Sequence, residues 1–89
     1  MNFFICSVRD LALDAFTGVQ SFGSKAEAIR SFGDACSARD SSFSRHAQDY
    51  ELWCFGSIDR VTGSFTPALE RLARAVEFAR QASVDAPAV

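Results

Sequence analysis

The side chains best suited to catalysis or metal binding are scarce and scattered in this sequence. Cys6, Cys36 and Cys54 form no C-x-x-C pair, and His46 is the only histidine. Disulfide frameworks and zinc sites show closer, paired spacing, so we interpret the cysteines as buried thiols of a reducing compartment. Ser44 is close to His46 but lacks the strand–turn–helix context of a nucleophile. We therefore expect no catalysis, no metal and no cofactor.

A different chemistry, the binding of single-stranded nucleic acid, is indicated by aromatic and basic residues. Such binding uses aromatic rings that stack on bases and cations that contact phosphates. The chain has nine Phe, one Tyr and one Trp, and all but one of its nine Lys and Arg residues are arginine. The candidate nucleic-acid-binding residues are the aromatics Phe3, Trp53, Phe55 and Phe78 and the arginines Arg39, Arg45, Arg60, Arg71 and Arg74.

The charge balance opposes a generic nucleic-acid coat. The formal net charge is −2, whereas proteins that bind nucleic acid by charge alone are usually basic. A nucleic-acid site must therefore be local, built from arginine clusters and repeated by self-association. Two alternatives remain open. The aromatic surface could be a dimer interface or a docking surface for another protein, and the arginines could simply be solvated.

The length and composition indicate one small domain. The chain has 89 residues, of which 48% are hydrophobic. That fraction is too high for a disordered chain, and no apolar run approaches the ~18–20 residues of a membrane span. No secretion signal is recognisable. We expect a single domain over residues 1–82 and a flexible C-terminal tail over residues 83–89.

The elements that would position these residues follow from periodicity and capping signals. Residues 2–9 and 50–58 are rich in β-branched and aromatic types and predict strands, the second with Trp53 and Phe55 on one face. Ser24 and Glu27 form a capping box, and apolar residues at helical spacing predict a helix over residues 25–38. Residues 11–23 predict a turn-rich connection with at most a short extended piece, and residues 39–49 predict a loop.

The last segment carries a second helix-start pattern. Residues 59–63 predict the turn of a hairpin whose second strand begins at residue 64. Thr66, Pro67 and Glu70 fit the cap and first turn of a helix, which would place Arg71 and Arg74 on its outer face with Phe78 between them. A strand fits this segment less well. The predicted fold class is α+β: an antiparallel sheet of about three strands with two helices, in the order β-α-β-β-α.

The segment from residue 45 to 63 carries a family resemblance. Its Asp-Tyr-Glu-Leu-Trp run at residues 49–53, followed by Gly56, Asp59, Thr62 and Gly63, resembles the small non-structural protein of gokushoviruses, single-stranded-DNA phages of the Microviridae. Phe3, Phe4 and Ser7 fit the opening of that family, and the resemblance extends over roughly residues 2–66. The sequence departs from the pattern at Ala47, where relatives have proline, and the arginine-rich last segment has no counterpart.

The resemblance implies a phage-encoded, non-enzymatic DNA-binding protein. Such a protein would act in the cytoplasm of the infected host, in the switch from duplex replication to single-strand production and packaging. The expected partners are single-stranded DNA and further copies of the chain, as a dimer or higher homo-oligomer, with no membrane association. The alternative is a protein-interaction module that contacts a phage or host replication protein. No catalytic residue and no DNA contact is carried over from the resemblance.

Overall fold

A computed structural model describes residues 1–78, which form a four-stranded antiparallel sheet with helices on one face. The spatial order of the strands is β2-β1-β3-β4, so β2 and β4 are the edges. The strands are β1 (Asn2–Asp10), β2 (Ala15–Phe22), β3 (Tyr50–Asp59) and β4 (Phe65–Arg74), and the helices are α1 (Lys25–Ser37), the short α2 (Ser42–Arg45) and a 3₁₀ turn (Ala47–Asp49). Residues 75–78, which follow β4 directly, have a helical backbone.

The prediction of about three strands and two helices is wrong, first because residues 15–22 form a full strand. The apolar alternation of β2 is hidden by a bulge at Thr17 and Gly18, where the register with β1 shifts opposite Val8. Ser7 stabilises this bulge because its hydroxyl donates to the carbonyl oxygen of Gly18 at 2.8 Å. A bulge adds one residue to a strand and so interrupts its period of two, which explains why the sequence suggests a turn-rich connection.

The second error concerns the segment after Thr66, which forms β4 and not a helix. Ala, Leu, Glu and Arg favour helices, but helix propensity is a weak preference that tertiary pairing overrides. Two register shifts between β3 and β4 disturb the strand period and leave apolar spacing that imitates a helix. Leu69, Leu72, Ala73 and Val76 have the spacing of a buried helix stripe, but Leu69 is 66% exposed on β4. Pro67 is tolerated because β4 is an edge strand.

The helix predicted from the capping signal is confirmed as α1. The Ser24 hydroxyl accepts a hydrogen bond from the backbone nitrogen of Glu27 at 3.1 Å. The Glu27 carboxylate accepts in return from the backbone nitrogen of Gly23 at 3.0 Å, one residue before the position that a standard capping box uses. Because these bonds satisfy free N–H groups at the helix start, they fix where α1 leaves β2.

The core lies between α1 and one face of the sheet. It is built from small side chains, one leucine and one large ring: Cys6, Ala28, Phe32, Cys36, Leu52, Cys54, Ala73 and Ala75. All three cysteines are buried free thiols, as the sequence predicts. Burial raises the pKa of the Cys6 thiol to about 12, with a further contribution from neighbouring Cys54. Burial also raises the pKa of Cys36 to about 11, so these thiols stay protonated at neutral pH.

Two of the sequence predictions concern the end of the chain. The predicted flexible tail, residues 83–89, and residues 79–82 of the predicted domain lie outside the described residues. Within residues 1–78, no helix combines the length and the apolar character needed to cross a membrane.

Candidate nucleic-acid interface

The two faces of the sheet have different surroundings. The helices pack on the face that carries Cys6, Leu52 and Cys54. The opposite face, called the open face below, is not covered by any helix that the structure describes. The strand register brings its side chains together. Ser7 pairs with both Val19 and Trp53, and Arg9 pairs with both Phe16 and Glu51. The open face is defined by Phe3, Ser7, Arg9, Phe16, Val19, Glu51, Trp53, Phe55, Arg71 and Arg74.

Three aromatic rings meet on the open face, and we call them the aromatic cluster: Phe16, Trp53 and Phe55. The ring centroids of Phe16 and Phe55 are 4.9 Å apart with an interplanar angle of 82°. Those of Phe16 and Trp53 are 6.3 Å apart at 90°. This edge-to-face geometry is favoured by the aromatic quadrupole. All three side chains are half-buried, so the rings are held in place yet remain partly accessible.

A single carboxylate connects Trp53 to the basic residues of β4. Glu51 accepts a hydrogen bond from the indole nitrogen of Trp53 at 3.0 Å. Its other oxygen accepts from the Arg71 guanidinium at 3.1 Å. Glu51 is buried, whereas Arg71 is exposed. The carboxylate therefore fixes the plane of the indole and holds the guanidinium beside it, and 49% of the Arg71 side chain remains exposed.

Three further arginines lie on or beside the open face. The Arg9 guanidinium carbon is 5.1 Å from the ring centroid of Phe16, and Arg9 also pairs with Asp14. Arg74 is exposed and lies opposite Glu51 in the register of β3 and β4. Arg60, in the β3–β4 turn, places its guanidinium carbon 4.4 Å from the ring centroid of Phe3. Cations over aromatic faces are attracted by the ring quadrupole.

The structure thus brings together six of the nine candidates from the sequence, and places the other three elsewhere. Phe78 packs against α1, with its ring 6.0 Å from that of Phe32 and in close approach to Gly33. Arg39 follows α1 and Arg45 ends α2, away from the strands. The predicted arrangement of Phe78 between Arg71 and Arg74 fails because those arginines lie on a strand.

Sequence reasoning missed Phe16, Arg9 and Glu51. Phe16 lies in the segment that looked like a turn, so its face could not be assigned. Arg9 is the penultimate residue of β1, and the alternation already places it on the face of Phe3 and Ser7. Glu51 lies two residues before Trp53 on the same strand, and this spacing places both side chains on one face of the sheet. Only the structure shows that the Trp53 indole donates a hydrogen bond to Glu51.

A second bulge shapes the middle of the open face. The register between β1 and β3 shifts so that Gly56, and not Phe55, lies opposite Ile5. Gly56 has φ +149°, and a Cβ atom there would lie 2.2 Å from the Thr66 carbonyl oxygen. Only glycine fits this close approach between β3 and β4. This explains why glycine stands at position 56 of the motif that carries the family resemblance.

The fold and this face define a small single-sheet domain whose uncovered surface presents rings and guanidinium groups. Among residues 1–78, no cluster of three or more His, Cys, Asp and Glu side chains could hold a metal ion. The sequence model of the Phage ORF5 protein family matches residues 3–78, so the chain belongs to that family. No curated protein and no solved structure matches it significantly. The resemblance is therefore confirmed at the level of a phage protein.

Proposed function

We propose that this protein is a non-enzymatic DNA-binding protein that holds single-stranded DNA on the open face of its sheet. The observation that carries the proposal is the position of two arginines beside the aromatic cluster. Arg9 lies over Phe16, and Arg71 binds Glu51, which also accepts the hydrogen bond of Trp53. Stacking of bases on such rings contributes about 1–3 kcal/mol per base and tolerates any sequence. The binding we propose therefore has little sequence preference.

The arginines give this face its affinity for the phosphate backbone. Arg71 and Arg74 lie on the exposed edge strand, and Arg60 lies beside Phe3 at the far end of the same face. A strand of DNA that crosses the sheet would meet cations at both ends and rings in the middle. Because Asp14 and Glu51 already pair with Arg9 and Arg71, each copy contributes few free positive charges. This supports a homo-oligomer in which several such faces bind one strand.

The biological role that we propose follows from the resemblance to gokushovirus non-structural proteins. The protein would act in the cytoplasm of the infected host, in the switch from duplex replication to single-strand production and packaging. Binding to the exposed bases of newly displaced strands fits that step, because a face that stacks bases prefers single strands over a duplex whose bases are already stacked.

The test is a titration of labelled oligothymidylate with the full-length protein, read by anisotropy and by quenching of Trp53 fluorescence. We expect binding at ~50 mM salt. A plot of the logarithm of the association constant against the logarithm of the salt concentration should have a slope of about −0.7 for each phosphate that the protein neutralises. Trp53 is the only tryptophan, so its quenching reports the aromatic cluster directly. The absence of binding at low salt would overturn the proposal and leave the face as a docking surface for a replication protein.

Matched charge reversals locate the site. Arg71→Glu with Arg74→Glu should abolish DNA binding, and Arg71→Gln with Arg74→Gln should weaken it without placing new charge beside Glu51. The control is Arg30→Glu with Arg39→Glu, which changes the net charge equally at exposed positions on the helical side. Loss of binding in the control but not in the first pair would contradict a site on the open face. Circular dichroism verifies that each variant is folded.

A further inference from the structure

The two edges of the sheet differ in how they are protected against pairing with another strand. Free edges are usually blunted by charged residues, proline or bulges. β4 carries Pro67, the charged residues Glu70, Arg71 and Arg74, and two register shifts. β2 has the sequence Ala-Phe-Thr-Gly-Val-Gln-Ser-Phe, with no charge and no proline. Its one bulge, at Thr17 and Gly18, leaves Val19–Phe22 in regular register with β1.

Both edges of the sheet carry exposed apolar groups, but those at the β2 edge, unlike Phe65 and Leu69 of β4, have no charged residue on their strand. Val19 is 59% exposed, and Leu11 and Leu13, in the turn that leads into β2, are 41% and 70% exposed. The same edge also carries a pocket of about 410 Å³ between β2 and α1, lined by Gln20 and Phe22 and by Ala28, Ser31, Phe32 and Ala35. Protruding apolar side chains and an apolar recess therefore occur side by side.

We infer that β2 pairs in antiparallel fashion with β2 of a second copy of this chain, joining two sheets into one of eight strands. An interface about a two-fold axis must be self-complementary, because each patch meets its own copy. An axis at Val19 satisfies this requirement, since the start of one β2 then lies beside the end of the other. The turn that carries Leu11 and Leu13 comes next to the second copy's Phe22, at the mouth of its pocket.

The absence of charge on β2 favours a second copy over a different partner. Self-pairing sets β2 against the same uncharged sequence, with Val19 opposite its own equivalent, so no like charges meet across the seam. A strand that recognises a foreign partner gains specificity from complementary charges, and β2 offers none. The pairing would also place the two open faces side by side, so that both aromatic clusters lie on the same side of the joined sheet. The inference does not depend on DNA binding.

Sedimentation of the full-length protein without nucleic acid tests the pairing. We expect a dimer whose dissociation constant rises about tenfold or more in Val19→Lys, because two ammonium groups would face each other across the axis. The control, Val61→Lys, adds the same charge in the β3–β4 turn, where the side chain is 89% exposed, and should leave the dimer unchanged. A monomer at all concentrations, or a Val19→Lys dimer as stable as the original, would overturn the inference.

Cross-linking provides a second measurement that keeps the fold intact. Val19→Cys should form a disulfide-linked dimer under mild oxidation, because directly opposed residues of antiparallel strands have Cβ atoms about 4.5–5.5 Å apart, close to disulfide spacing. The native thiols are buried and should not compete. Val61→Cys, as the control, should remain monomeric on a denaturing gel. A dimer in sedimentation without cross-linking at residue 19 would mean another interface and would also overturn the inference.

Discussion

Glu51 accepts a hydrogen bond of 3.0 Å from the indole nitrogen of Trp53, two residues further along the same strand. The second oxygen of this buried carboxylate binds Arg71 of β4 at 3.1 Å. One side chain thus sets the orientation of the largest ring and of a guanidinium on the open face. The carboxylate stabilises both groups but also places negative charge where we propose that phosphates bind.

Replacement of Glu51 by glutamine separates these two effects. Glu51→Gln should lower the free energy of unfolding by about 1–3 kcal/mol, because two hydrogen bonds to a charged acceptor are weakened. It should also tighten oligothymidylate binding several-fold, since Arg71 is freed for phosphate. Urea denaturation and anisotropy measure the two changes. The control is Glu70→Gln, which also removes one negative charge, but from the ion pair with Lys25 on the helical side; it should not alter DNA binding. Weaker DNA binding by Glu51→Gln would contradict a phosphate contact at Arg71.

The packing of the aromatic cluster can be read from the fluorescence of the single tryptophan. Phe16→Leu removes the edge-to-face contacts with Trp53 and Phe55, which contribute about 0.5–1.5 kcal/mol per pair beyond buried area. We expect a red-shifted Trp53 emission, greater quenching by acrylamide and lower stability. Phe65→Leu is the control, because Phe65 is exposed on β4 outside the cluster. Unchanged emission in Phe16→Leu would mean that the two rings do not touch in solution.

The bulge at Gly56 should tolerate no side chain. Gly56→Ala would bring a methyl group against the Thr66 carbonyl at a backbone conformation that L-residues rarely adopt, so we expect a loss of about 3 kcal/mol or more. Gly18→Ala is the matched control, because a Cβ there meets nothing within 4 Å, and it should change stability by less than about 1 kcal/mol. Thermal or urea unfolding measures both. Equal effects of the two substitutions would contradict the close approach of β3 to β4.

The buried thiols should make the fold sensitive to alkali. Cys6 and Cys36 ionise at about 12 and about 11 in the folded protein, against 9.0 for a free thiol. Above pH 9 the unfolded chain loses protons that the folded chain keeps, so the free energy of unfolding falls as pH rises through the range between these values. Below pH 9 both states hold the protons, and this contribution to stability is fully present.

Urea unfolding as a function of pH measures this dependence. Cys36→Ala should unfold more readily at pH 7, because it leaves a small cavity, but its stability should fall less steeply between pH 9 and pH 11. The native protein should also react slowly with thiol reagents at neutral pH. A slope in Cys36→Ala identical to that of the original chain would show that the Cys36 thiol does not cause the alkaline sensitivity.

Local signals in the sequence were sufficient for several elements. The hydroxyl of Ser24 and the helical spacing behind it predict α1, because the cap and the apolar stripe are formed within one short segment. The period of two in β1 and β3 places Trp53 and Phe55 on the face opposite Leu52 and Cys54, since alternation is a property of the extended backbone itself. The burial of the three cysteines also follows from their types and surroundings.

The tertiary structure alone decided what the two outer strands do. Residues 66–74 have the composition of a helix, yet they form β4 because β3 presents unpaired N–H and C=O groups that a neighbouring strand satisfies. Pairing of this kind joins residues far apart in the chain, so no window of local sequence can reveal it. The same holds for β2, whose bulge depends on the hydroxyl of Ser7 in another strand. The open face follows from both outcomes: Phe16 and Arg71 reach Trp53 only because their segments are strands, whereas Phe78 turns to α1.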